Sequence, residues 1–224
     1  MNKAGKIKVI KDGPYLVTGG IPLKEKIITP RGHGYVWQDG RELPQADTYT
    51  LCRCGKSGNH PFCDGAHTSA GFRGEETAGR QPYEQRAGVL RGPDLDLLDD
   101  DRCAFARFCH RERGDVWNLT KSSDDAELKA EAIEAAKDCP TGRLVAREKS
   151  GEIHEHSYEP CIEVIQDPQR KVSGGLFVKG YIPIEAADGE IYEPRNRITL
   201  CRCGYSRSKP FCDAMHVPAK FKDE

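Results

Sequence analysis

Neither sign of charge dominates this chain: 34 Lys and Arg are set against 35 Asp and Glu over 224 residues. That balance removes the electrostatic argument for nucleic acid as a partner. No apolar run reaches the roughly 20 residues that a membrane-spanning helix needs, so no membrane association is expected. Apolar residues make up only 37% of the chain. The core is therefore lean, whether the chain forms one large domain or two to three small ones, and small domains of that kind often need a staple. Signs of catalysis are missing as well: there is no Gly-rich nucleotide loop, and Gly19-Gly20 and Gly174-Gly175 read as turn glycines. Met1 to Lys11 is polar and basic rather than an apolar leader. The expectation is a reduced, cytoplasmic compartment in which the ten cysteines are thiols rather than disulfides.

What the chain does have is concentrated between Cys52 and His67. Cys52, Cys54, Cys63 and His67 fall in the spacing C-x-C-x8-C-x3-H, enough soft and borderline donors to close a metal centre. The stretch occurs twice, since Cys201, Cys203, Cys212 and His216 repeat every interval together with the Cys-Arg-Cys-Gly, Ser and Pro-Phe-Cys-Asp positions. The duplication extends beyond the donors. Ile162 to Asp167 matches Ile7 to Asp12, Gly174 to Ile184 matches Gly13 to Leu23, Ile198-Thr199-Leu200 matches Tyr49-Thr50-Leu51, and Phe221 falls where Phe72 does. A repeated unit of roughly 60 residues is too short a series for a solenoid and suggests a pseudo-two-fold pair packed within one chain. A monomer would then be sufficient.

Within the first unit, Ile7 to Ile10, Tyr15 to Val17 and Thr48 to Leu51 alternate as short strands around the turn Asp12-Gly13-Pro14. Thr29 to Gln45 reads as loop with a strand around Tyr35-Val36-Trp37. Between the units, the acidic run Pro93 to Asp101 reads as a solvated edge or turn. Ser122-Ser123-Asp124-Asp125 predicts a capped helix with Leu128, Ala132, Ile133 and Ala136 on one face, stopped at Cys139-Pro140, and Arg143 to Ala146 predicts a strand. The expected organisation is an α+β chain with units at 1–76, 77–160 and 161–224.

Thiolate and imidazole donors suit zinc, copper(I) or iron-sulfur clusters. Structural zinc sites commonly use wider knuckles than a one-residue gap, although zinc remains open on donor type alone. The pattern Cys-x-Cys-x2-Ser-x3-Pro-x-Cys-Asp-Gly-x-His resembles the signature of the CDGSH (NEET) iron-sulfur proteins. The first copy matches at every defining position, with Ala66 in a slot that is often Ser, and the second departs at Ala214 and Met215. The resemblance implies two small β-rich units with a strand cap and one [2Fe-2S] cluster per motif. By the same resemblance, Cys52 and Cys54 hold the inner iron and Cys63 and His67 the outer one, with Cys201, Cys203, Cys212 and His216 repeating the set. A cluster held by three thiolates and a neutral imidazole carries a formal charge one unit less negative than a four-cysteine cluster, so it is easier to reduce. Its imidazole must stay neutral to bind, with an unperturbed pKa of about 6.5, so mild acid should release the cluster.

Asp64 and Asp213 read as N-caps of a short helix carrying the histidine. Arg53 and Arg202 either offset cluster charge or lie exposed, and His33, His60, His110, His154 and His156 read as surface or structural residues. The middle segment carries Cys103, Cys109 and Cys139-Pro140, which resembles a divergent single-cluster ferredoxin with Ala106 in the second cysteine's slot. Its three thiols are candidates for a third cluster, [3Fe-4S] or [4Fe-4S]; alternatively they are buried small hydrophobes in a decayed ferredoxin fold. Cys161, aligned with Lys6, reads as structural. The expected function is an iron-sulfur protein, not an enzyme, that transfers electrons to redox proteins or stores and passes clusters to apo-acceptor proteins. A structural zinc protein and an electron-relay subunit of an oxidoreductase are the alternatives.

Overall fold

The computed structural model describes residues 5–223, so the outermost ends of the expected first and last units lie outside the described residues. The first repeat supplies β1 (Lys6–Val9), β2 (Tyr15–Thr18), β3 (Leu23–Arg31), β4 (Gly34–Asp39), β5 (Thr48–Leu51) and the one-turn helix α1 (Ala66–Ser69). The middle segment supplies α2 (Tyr83–Arg86), β6 (Gly88–Arg91), β7 (Leu95–Asp99), β8 (His110–Arg111), β9 (Gly114–Asp115), α3 (Val116–Lys121), α4 (Ala126–Lys137), β10 (Leu144–Glu148) and β11 (Ile153–His154). The second repeat returns to strands, with β12 (Cys161–Asp167), β13 (Val172–Lys179), β14 (Ile184–Glu185) and β15 (Arg197–Leu200). Several sheets with few helices make this an α+β protein.

Alternation decides which side chains enter the core. Ile7, Val9, Tyr15 and Val17 are buried on one face of β1 and β2, as a period of two requires. The two repeats do not each keep their strands. In the sheet β14-β1-β2-β5, the second repeat's β14 lies parallel to β1, with Ile7 opposite Ile184. In the sheet β15-β13-β12-β3-β4, the first repeat's β3 lies parallel to β12, from Leu23 opposite Ile162 to Ile27 opposite Gln166. Each repeat therefore lends the other a strand, and their apolar faces close over one shared cluster that includes Val9, Val17 and Leu23 with Val164, Leu176 and Ile184.

Three expectations change here. The segment from Thr29 onward is not mainly loop: β3 and β4 form a hairpin from Lys26 opposite Asp39 to Arg31 opposite Gly34. Lys24, Glu25, Lys26 and Pro30 mask β3 in the sequence, because its pairing comes from the other repeat rather than from an apolar alternation of its own. Gly174 and Gly175 are buried inside β13 rather than in a turn, where a Cβ on Gly175 would sit 2.6 Å from the Leu200 carbonyl oxygen. The acidic run at 93–101 is not a solvated edge: β7 is an inner strand of the sheet β11-β10-β7-β6, with Leu95, Asp96, Leu97 and Leu98 buried. Its carboxylates are taken up by cations, Asp96 by Lys149 at 2.5 Å and Asp99 by Arg143 at 2.5 and 2.8 Å.

The middle segment otherwise follows its sequence. The Asp125 carboxylate caps α4 by accepting from the Glu127 and Leu128 N–H groups. Ala132, Ala135 and Ala136 face the core, with Leu128 and Ile133 packed at its edge, and the helix ends at Lys137, before Cys139-Pro140. Two buried arginines tie this segment to the second repeat. Arg107 pairs bidentately with Asp167 at 2.6 and 3.0 Å, and Arg197 of β15 reaches back to Glu155 and to three carbonyls of the middle segment. Among the described residues no helix is long and apolar enough to cross a membrane.

Candidate metal centres

Each motif is a loop closed onto the strand that delivers it. β5 runs into Cys52, whose N–H donates to the Pro61 carbonyl at 2.8 Å, while the Cys63 N–H donates to Thr50 at 3.0 Å. The second motif repeats both bonds, from Cys201 to Pro210 at 2.8 Å and from Cys212 to Thr199 at 2.9 Å. The invariant spacing of Ser follows from the same loop: the Ser57 hydroxyl donates to Phe62 and accepts from the Asn59 N–H, as Ser206 does with Phe211 and Ser208. The two aspartates pin the far side. Asp64 accepts from Gly58 and Ala66, and Asp213 from Arg207 and Met215. They are not helix N-caps as expected: the N-cap of α1 is Gly65, one residue later, and the second motif has no helix after Asp213. Gly65 takes φ +89°, and Ala214 holds the same left-handed region at φ 67°, where a Cβ is disfavoured.

The closed loops bring the donors together in pairs. The Cys52 and Cys54 sulfurs lie 3.7 Å apart and those of Cys201 and Cys203 3.6 Å. Cys63 Sγ is 3.4 Å from His67 Nδ1, and Cys212 Sγ is 3.5 Å from His216 Nδ1. With metal bonds of about 2.3 Å to sulfur and about 2.0–2.1 Å to imidazole, the tetrahedral edges are about 3.8 Å for a sulfur pair and about 3.6 Å for a sulfur-nitrogen pair. Each pair is therefore the right width for one edge of a tetrahedral metal. Among the described residues no three or more His, Cys, Asp or Glu side chains converge so as to hold a single ion. In each C-x-C pair one thiol is lowered and the other raised, as two sulfurs close enough to share a proton require. Burial raises Cys52, but His60 and the Ser57 and Gly55 N–H groups outweigh it; burial and the nearby Cys52 raise Cys54 to about 11. A metal displaces both protons.

The two outer pairs differ in exposure. Cys63 and His67 are half-buried, whereas Cys212 is 3% and His216 4% exposed. Burial, aided by the Arg202 charge, depresses His216 to about 4.

Arg53 and Arg202 are not exposed; each is 1% accessible. Arg53 donates to the Gly13, Gly74 and Ile10 carbonyls. Arg202 makes the equivalent bonds to Gly174 and Ile165 but meets Asp223 instead of a third carbonyl. Burial raises Asp223, yet Arg202, Ser173 and Gln166 reverse this and hold it at about 2. Arg202→Met should therefore cost about 2 kcal/mol more than Arg53→Met, because it strands a buried carboxylate. In urea unfolding of the holoprotein that excess should vanish in an Asp223→Asn background, and an excess that persists there contradicts the assignment.

His60, read as surface or structural, is a half-buried ring. Its Nε2 is buried with no hydrogen-bond partner among the described residues, beside Cys52 and edge-on to Phe221 of the other repeat at 5.6 Å. Ligand spacing is silent about such a ring; the one signal is its position before Pro61, where the second motif has Lys209. The other histidines behave as expected, with His33 exposed near Glu112, His110 exposed on β8, His154 on Glu148 and His156 on Asp138.

Cys103, Cys109 and Cys139 line one cavity of about 260 Å³ together with Phe105, Trp117 and Arg143. Burial, then the neighbouring Cys139 and Cys103, push Cys109 up to about 12. The Phe105 N–H points at Cys103 Sγ at 3.2 Å, and Cys139 Sγ lies 3.2 Å from Thr141 Oγ1. Cys161 lies apart on β12.

Comparison with known protein families gives two matches. The iron-binding zinc finger of CDGSH type matches residues 12–68 and again 173–217. A divergent 4Fe-4S mono-cluster matches residues 90–149, between them. No curated protein and no solved structure matches significantly. The chain thus carries two CDGSH-type regions around a divergent ferredoxin-type segment, which supports an iron-sulfur protein.

Proposed function

We propose that this chain carries single electrons between partner proteins on two [2Fe-2S] clusters, with a further iron-sulfur cluster in the middle segment. Cys52, Cys54, Cys63 and His67 would hold the first, Cys201, Cys203, Cys212 and His216 the second, and Cys103, Cys109 and Cys139 the third. When bound, the clusters supply reversible one-electron reduction of iron. The observation that carries this reading is the division of each motif into two tetrahedral edges rather than one four-donor cage. A mononuclear zinc site needs four convergent donors, which makes zinc the weaker reading.

At the second motif the chain's own residues favour retention over delivery. A site that hands over its cluster needs an open outer edge, and Cys212 and His216 are buried. Arg53 and Arg202 anchor the two loops to their own hairpins. The lent strands support an intramolecular pseudo-dimer, for which a monomer suffices.

Incubation of the red holoprotein with an apo-ferredoxin tests this reading. The expected result is that the chain keeps its colour through repeated reduction and oxidation while the apo-ferredoxin gains none. Transfer of the iron of both motifs to the apo-ferredoxin would overturn it in favour of cluster delivery.

A further inference from the structure

Two bridges connect the three sites in a fixed order. The first joins the middle cavity to the second motif. Thr199 Oγ1 donates to the carbonyl of Pro140, next to Cys139, at 3.0 Å, and the Thr199 carbonyl accepts from the Cys212 N–H at 2.9 Å. Two hydrogen bonds thus link a thiol of the cavity to the outer sulfur of the second motif. The backbones are pressed together along this line: a Cβ on Gly142 would lie 2.4 Å from the Arg197 carbonyl oxygen. Two further contacts run alongside. The Arg102 guanidinium lies 4.3 Å from the centre of the Phe211 ring, beside Cys212, and Cys103 is near enough to Cys212 to raise its pKa, though burial does more.

The second bridge joins the motifs to each other. A Cβ on Gly55 would meet the Cys203 carbonyl oxygen at 2.4 Å, and one on Gly204 the Cys54 carbonyl oxygen at 2.5 Å. Glycine in the left-handed region, at φ 71° and 82°, is what allows each C-x-C backbone to touch the other. The Tyr15 hydroxyl, from the first repeat, donates to Cys201 at 2.7 Å. No comparable bond leads from the middle cavity to the first motif among the described residues.

From this arrangement we propose that the second motif is an internal station, wired by Thr199 to the middle thiol cavity and by Gly55 and Gly204 to the first motif, whose half-buried Cys63 and His67 form the exchange port. The inference rests on the reading given above. Electronic coupling decays exponentially with separation and is stronger through covalent and hydrogen bonds than across gaps, so the order of contacts becomes the order of transfer. Histidine ligation raises potential relative to thiolate alone, which favours transfer from the thiol cavity to the motifs; the two motifs share one ligand set, and the half-buried Cys63 and His67 make the first of them the exit. One electron enters at the cavity from a one-electron reductant protein and one leaves at the first motif to a one-electron acceptor protein. One ferric ion becomes ferrous at each receiving site and the reverse occurs at the giving site; no atom or proton moves.

The test is electron paramagnetic resonance of the fully reduced holoprotein, with the motif signals assigned from His67→Cys and His216→Cys variants. Iron and sulfide are measured on the same samples. In a Cys109→Ser, Cys139→Ser variant the second motif's signal should lose one magnetic splitting while the first motif's signal stays unchanged. A Thr199→Val variant should keep its iron and its splittings but equilibrate electrons between the cavity and the second motif more slowly on rapid freezing. Simplification of the first motif's signal instead, an unchanged second-motif signal, a parental rate in Thr199→Val, or iron in the motifs alone would each overturn the order. A chain without iron in either motif would instead overturn the underlying reading.

Discussion

Lowering the pH of the oxidised holoprotein should remove its colour in two separate phases, the first motif before the second. An imidazolium cannot ligate a metal, so each cluster survives only while its histidine resists protonation. His67 is half-buried with Cys63, so its ring is partly open to solvent. His216 is buried, and its pKa is depressed to about 4 by desolvation and by the Arg202 charge. The sign follows from that depression: a lowered pKa keeps the imidazole neutral further into acid, so the second motif holds its iron to lower pH. His67→Cys should abolish the early phase alone and His216→Cys the late phase alone, read from visible absorbance in a stopped-flow pH jump. A single phase that each variant slows equally contradicts the account. The same shift acts on the metal-free protein. There the native state disfavours the charged His216, so stability falls as pH drops below about 6.5, the unfolded value, and levels off below about 4.

Arg197→Met should destabilise the holoprotein by about 3–5 kcal/mol, the range for breaking a buried charge pair by removing one partner. Arg197 is 1% exposed and donates to both Glu155 carboxylate oxygens and to the carbonyls of Ala136, Cys139 and Leu144. Methionine fills much of the volume and satisfies none of these acceptors. The Ala136 and Cys139 carbonyls belong to the end of α4 and the cysteine turn after it, so the variant should also loosen the middle segment from β15. Urea unfolding followed by visible colour and by far-ultraviolet circular dichroism measures both effects. A loss below about 1 kcal/mol, or unfolding in which the middle segment stays coupled to the second repeat, goes against the assignment.

How much of this was legible in the sequence depended on whether the signal was local. The paired Cys-x-Cys, the third cysteine and the histidine were legible because their intervals lie within one loop, and the hydrogen bonds of Ser57, Asp64, Ser206 and Asp213 explain the residues between them. The repeat was legible from Ile7, Tyr49 and Phe72 and their counterparts. The helix Ala126–Lys137 announced itself through Asp125 and its alanine face. The strand exchange was not legible, because Leu23 meets Ile162 and Ile7 meets Ile184 only once the two repeats fold together. β3 was hidden for the same reason. Leu95, Leu97 and Leu98 were read as part of an acidic run, since the cations that neutralise Asp96 and Asp99 come from the far end of the segment. The burial of Arg53, Arg202 and His60 was left open because nothing in a linear pattern separates a buried polar side chain from an exposed one. The unequal exposure of the two outer pairs likewise arises from packing.

The account stands on the two-iron centres of the repeated motifs, and metal analysis of the anaerobically purified Cys103→Ser, Cys109→Ser, Cys139→Ser variant tests them most directly. Iron and acid-labile sulfide at two of each per motif, in a coloured protein free of zinc, is the predicted result. A colourless protein carrying one zinc ion per motif would contradict it.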